Sequence, residues 1–204
     1  FYNHTVLDNK NVPVFPTPTI GMLGILDNAD DYMTLDFKEE GDLIYLIGNP
    51  CNDFGSSEYL RRVHNVEQSP VPHFDLEEEF KLQAVIKTLI QKKAVQSVHD
   101  VADGGLFTNL VESGMVNGMG FEVNCGTPTR KDAFLFGESQ SRVVVSVSRV
   151  NQEAFENLIS NEGAASMLLG KVMGENIVID NEDYGKIADW KSVFDNTLEQ
   201  YLED

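Results

Sequence analysis

The 204-residue chain is 42% apolar and carries 33 acidic against 15 basic side chains, a formal charge of −18. That length and apolar share are enough to bury one large core or two small ones, and so few cations exclude a nucleic-acid surface, which needs a basic patch. No apolar run reaches the length of a membrane span, no signal-like start is present, and Cys51 and Cys125 stand in no zinc or CxxC spacing, so a reduced, cytoplasmic setting with no membrane contact is expected.

The chain starts at Phe1-Tyr2-Asn3 without Met and reads as the interior of a longer one. Residues 1–11 are a polar lead-in. Pro13, Pro16 and Pro18 then forbid helix and hold the backbone extended, and residues 19–26 are expected as a strand in which Gly21 and Gly24 mark close approach or a bulge. A second strand over 43–47 follows Gly41-Asp42. It is almost wholly apolar, so it reads as central, and its expected partner is the 19–26 strand. Gly55-Ser-Ser-Glu-Tyr59 is a small-residue turn entering a short helix capped by Ser56 or Ser57. The prolines and polar residues of 67–73 mark a boundary, giving a first domain over 1–68 and a second over 69–204.

Asp75 caps a long helix whose inner stripe reads as Leu76, Phe80, Val85, Leu89 and Ile90. A buried strand over 94–98 then runs into the stretch that organises the rest, His99-Asp-Val-Ala-Asp-Gly-Gly-Leu106. His99, Asp100 and Asp103 fall within five residues, and Gly104-Gly105 lets the backbone bend before a helix that continues to Val116. Two readings stand at this turn. Either its carboxylates hold Mg²⁺ while helix-start N–H groups face a phosphate, or Asp103 caps the helix and His99 packs beneath it. A second polar group, Glu138-Ser-Gln-Ser-Arg142, crowds the entrance of a Val-rich strand over 143–147. Polar groups there must bond one another, as a Glu138–Arg142 pair would, or bond a ligand. Beyond it come a helix over 151–160, strands over 167–173 and 176–180, and a closing helix whose apolar face is Trp190, Val193, Phe194, Leu198, Tyr201 and Leu202.

Taken together, the run 99–106, Phe136-Gly-Glu-Ser-Gln-Ser-Arg142 and Gly170-Lys-Val-Met-Gly-Glu-Asn-Ile-Val-Ile-Asp180 resemble the C-terminal domain of the aminoimidazole ribonucleotide synthetase superfamily. With Pro16-Thr-Pro-Thr-Ile-Gly-Met-Leu-Gly24 and Gly55-Ser-Ser-Glu-Tyr59 ahead of them, they resemble more narrowly the synthetase subunit of the phosphoribosylformylglycinamidine synthase family. The resemblance implies an α+β (mixed α/β) fold in which the remainder of a sheet domain precedes the C-terminal α/β domain. It also implies an ATP- and Mg²⁺-dependent carbon–nitrogen ligase of purine synthesis, with glutamine as amido donor, that converts formylglycinamide ribonucleotide to formylglycinamidine ribonucleotide. The chain corresponds to the C-terminal part of that enzyme. No catalytic residue is therefore expected in it, since the general base belongs to the N-terminal half, and the piece alone is expected to be inactive.

As the duplicate of a ligand-binding turn, His99, Asp103, Gly104 and Gly105, with Glu138, Ser139, Gln140 and Arg142, are the nucleotide- or substrate-side candidates that the resemblance implies. Asp100 and Asp103 are the metal candidates. The implied partners are the N-terminal half, a glutaminase subunit and a small bridging subunit, and unpaired strands near residue 20 add self-association. The alternatives are a structural or ADP-binding regulatory module of the same enzyme, or a sister ATP-dependent enzyme of the superfamily.

Overall fold

The computed structural model describes residues 3–14, 19–50, 52–126 and 130–202. The backbone divides into two compact units, residues 1–30 and residues 31–204. In the first, β1 (His4–Leu7) and β2 (Lys10–Pro13) form an antiparallel hairpin. Its turn is Asp8-Asn9, with φ of 51° and 62°, a left-handed pair that matches hairpin twist and that Asp and Asn tolerate. The polar lead-in expected over 1–11 is therefore structured from His4 onward, and an Asx pair between two extended runs was its signal.

Residues 19–26 are not a strand, contrary to expectation. Ile20, Met22, Leu23 and Ile25 are between 83 and 101% exposed. Proline fixes extension but supplies no neighbour, and strand stability comes from cross-strand partners and burial. Pro16, Pro18 and Cys51 lie outside the described residues.

The second unit holds β3 (Leu43–Ile47), α1 (Glu58–Val63), α2 (Leu76–Gln91), β4 (Ser97–Asp100), α3 (Gly105–Met115) and β5 (Phe121–Val123). It continues with α4 (Lys131–Phe136), β6 (Val143–Val147), α5 (Gln152–Glu162), β7 (Ser166–Val172), β8 (Asn176–Ile179), β9 (Glu182–Lys186) and α6 (Ile187–Leu202). Seven strands make one sheet in the order β4-β6-β3-β7-β5-β8-β9. The β5–β8 pair is parallel and the others are antiparallel. The mixed α/β class expected from sequence is the class observed.

β3 lies between β6 and β7, not beside residues 19–26. Its side chains explain this. Ile44 and Leu46 enter a core with Leu106 and Leu110 of α3 and Phe134 of α4, whereas Leu43, Tyr45 and Ile47 enter another with Val85 and Leu89 of α2 and Phe155 of α5. A strand buried on both alternating faces needs helices above and below, and the α/β part supplies them. The boundary expected at 68/69 falls inside this second unit.

Asp75 caps α2 as expected, accepting from the N–H groups of Glu77 and Glu78 at 2.8 and 3.0 Å. The helix buries residues only from Leu82 onward, so Leu76 and Phe80 are exposed where an inner stripe was expected. Likewise Trp190 packs against the core and donates from Nε1 to the Tyr184 carbonyl at 3.0 Å, while Val193, Phe194, Leu198 and Leu202 remain exposed. Among the described residues no helix is long and apolar enough to cross a membrane.

Candidate functional site

The two polar runs come together because β4 and β6 are neighbours. Asp100 stands opposite Val143 in their ladder, and the Val101 N–H donates to the Arg142 carbonyl at 2.9 Å. The turn leaving β4 and the loop entering β6 therefore share one end of the sheet. Between them is an open cleft of about 340 Å³, lined by Asp100, Asp103, Glu138, Gln140, Ser141 and Arg142 together with Glu79 and Leu82 of α2.

The turn is built by its two glycines. Gly104 is the N-cap of α3 at φ 81°, and Gly105 follows at φ 71°. L-residues rarely adopt either conformation. A Cβ on Gly105 would also come within 2.8 Å of the carbonyl oxygens of Leu135 and Gly137, the backbone that seats the second loop on the first. Asp103 is therefore not the helix cap; it stands exposed at the cleft.

Glu138 and Arg142 solve the crowding at the strand entrance through backbone groups. One carboxylate oxygen of Glu138, Oε1, accepts from the Gly104 N–H at 2.8 Å and from the Glu58 N–H of α1 at 2.9 Å. Arg142 is 2% exposed. Its Nη2 donates to the Gly137 carbonyl at 2.7 Å and its Nε to the Ser139 carbonyl at 2.9 Å, bracing the loop from inside. Ser139 thus enters the site through its backbone. The Ser141 hydroxyl donates to Glu79 Oε2 at 2.7 Å, tying the loop to α2. Gln140 is exposed at the cleft.

His99 lies elsewhere. Alternation along β4 sends it to the α3 face, where Nδ1 is 3.1 Å from Ser113 Oγ and Nε2 is 3.5 Å from Glu112, whereas Asp100 faces the cleft. It is not among the residues that line the cleft, and its strand position turns its ring to Ser113 and Glu112 instead. Sequence reasoning missed Asn109, which is 2% exposed and donates from Nδ2 to the Asp100 carbonyl at 2.7 Å. A polar residue on the buried face of an apolar helix was the available signal.

Among the described residues no group of three or more His, Cys, Asp or Glu side chains is placed to hold a metal ion. Asp100 and Asp103 do line one cleft. Two carboxylates suit Mg²⁺ in its usual mode, in which phosphate oxygens and water complete an octahedral shell.

Residues 39–180 match the family described as AIR synthase related protein, C-terminal domain. Along its whole length the chain is 32% identical to the phosphoribosylformylglycinamidine synthase subunit PurL of Alkaliphilus metalliredigens, covering 28% of that protein. Over 88% of its length it is 34% identical to the PurL subunit of Moorella thermoacetica, covering 24% of it. The chain thus spans about a quarter of the length of the curated relatives it matches. Among solved structures, T. maritima PurL complexed with FGAR superposes with a TM-score of 0.64 at 15% identity, over 78% of this chain and 29% of that one. The structures of PurLQS from Thermotoga maritima and of T. maritima PurL complexed with ATP each give 0.60 at 15% identity, over 78% of this chain and 27% of theirs. These likenesses establish the fold.

Proposed function

The chain belongs to the AIR synthase related protein family through its C-terminal domain, and from that premise we propose that it is the C-terminal part of a PurL-type ligase making formylglycinamidine ribonucleotide. The observation that carries this is the similarity to PurL subunits along the whole chain. The geometry supports it, because the two polar runs carrying the resemblance fold into one cleft.

In this reading ATP activates the amide oxygen of formylglycinamide ribonucleotide, and ammonia then displaces phosphate. The reaction needs charge stabilisation at the transferring phosphoryl group and a base for ammonia. Among the described residues no His lines the cleft, in keeping with the resemblance, which assigns the general base and much of the phosphate cradle to an N-terminal part. Asp100 and Asp103 are the residues that would hold Mg²⁺, whose chemistry there is to neutralise phosphate charge. Gly104 and Gly105 shape the turn, and Glu138, Ser139, Gln140 and Arg142 form the opposing loop on the substrate side. The Thermotoga PurL complexes with FGAR and with ATP support those ligands, and the PurLQS structure supports partner subunits. Glutamine-derived ammonia from a glutaminase, a small bridging subunit and a cytoplasmic location complete the proposal, with the chain alone inactive.

A second reading is favoured by one observation. One oxygen of Glu138 accepts from two backbone N–H groups of this chain, as a structural or ADP-binding regulatory copy of the site would have it. Calorimetric titration of Mg²⁺ and ADP into the full-length gene product and its Asp103→Asn variant decides between the two modules. Loss of one of two nucleotide sites in the variant supports nucleotide binding here; one site in both proteins excludes it. Self-association of the isolated chain through residues 20–26 is a further proposal, and light scattering from a monomer at micromolar concentration would sink it.

A further inference from the structure

α1 is six residues long and contributes no buried residue to the molecule. A helix that short does not persist in water on its own propensity. Its place must be fixed by contacts from outside.

Two such contacts converge from one segment, the end of α4 and the residues after it. The Oε1 atom of Glu138 accepts from the first helical N–H of α1, at Glu58, and from the N-cap N–H of α3, at Gly104. Beside it, the Phe136 ring lies almost parallel to Tyr59, 6° between planes and 5.0 Å between centroids. Phe54 also stacks on Tyr59, with 5.2 Å between centroids. A carboxylate that satisfies the free N–H groups of two helix starts is also well placed for both helix dipoles.

We propose that Glu138 is a positioning residue: its carboxylate latches segment 54–64 to the α3 turn, and so fixes α1, the glycine turn and the 137–142 loop as one body at the end of the sheet. The latch does not depend on the ligase reading, since the three segments meet whatever reaction the whole protein performs. It changes what Glu138 is for. The oxygen that the resemblance would aim at substrate is spent on holding the wall that presents Asp103 and Gln140.

Hydrogen exchange followed by mass spectrometry on the full chain tests this with three variants. Glu138→Ala should speed exchange in 54–64 and at the start of α3 by about tenfold or more, leaving β3 and β6 unchanged. Glu138→Gln, which keeps an acceptor oxygen, should restore most of the protection. Glu58→Pro removes one donor at the first helical position, where proline is tolerated and where the extended Ser57 ahead of it already suits proline. Measured against a Glu58→Ala control, which loses the same Arg61 and Arg62 pairs but keeps the N–H, it should loosen 54–64 but not the α3 start, and it decides the matter if Glu138→Ala fails to fold. Unchanged exchange in 54–64, no recovery with Gln, or equal loosening of β3 and β6 would each overturn the latch.

Discussion

Gly105 shows how far a single residue reaches. Its φ of 71° and its approach to the Leu135 and Gly137 carbonyls join the turn after β4 to the loop before β6. Gly105→Ala should cost about 1–3 kcal/mol for the strained backbone alone, with the steric contact adding to it, because the obstructing atoms are backbone and cannot turn away. Urea unfolding measures this, and an unchanged midpoint would contradict it. The glycine pair was legible in the sequence because only glycines bend a chain so tightly between a strand and a helix. The partners of Glu138 were not, since one lies 80 residues away and is a backbone N–H that has no signature of its own. That His99 and Asp100 part company was hidden for a different reason. The strand was ended at Val98, and extending it to Asp100 sets neighbouring side chains on opposite faces. Cys125 needs no functional account: burial, reinforced by Asp180, pushes its thiol up to about 12, so it stays protonated.

At the scale of elements, what was readable depended on whether the pattern carried its own partner. The run 43–47 announced a strand buried on both faces, yet nothing in it named β6 and β7 as neighbours rather than residues 19–26. β9 was missed because Glu182-Asp-Tyr-Gly-Lys186 is polar and sits at the sheet edge, where no apolar alternation is required. Helical stripes overreached at their ends: periodicity marks a face but not where the facing core stops. These differences set a paired prediction. Ile44→Ala, in the centre of the sheet and fully buried, should destabilise by about 2–5 kcal/mol, whereas Phe80→Ala, on the exposed first turns of α2, should stay within about 0.5 kcal/mol. Equal effects in chemical denaturation would mean that α2 packs along its whole length.

For the whole molecule the governing quantities are charge and the share of its relatives' length that the chain spans. A net charge of −18 disfavours a bare nucleotide over the surface as a whole, so the proposal that this cleft takes phosphates calls for a divalent cation to offset them. Among the described residues the cleft has two candidate carboxylates for such a cation and no His on its walls. The apolar run near residue 20 is left without cover. Both features fit a part that works joined to the remaining three quarters of a PurL-like chain. The most direct test is ammonia-dependent ADP release with formylglycinamide ribonucleotide as substrate, measured on the full-length gene product and on the 204-residue chain side by side. Turnover by the long chain and none by the short one is the predicted result. Turnover by the short chain alone, or none by either with ammonia supplied, would contradict the account.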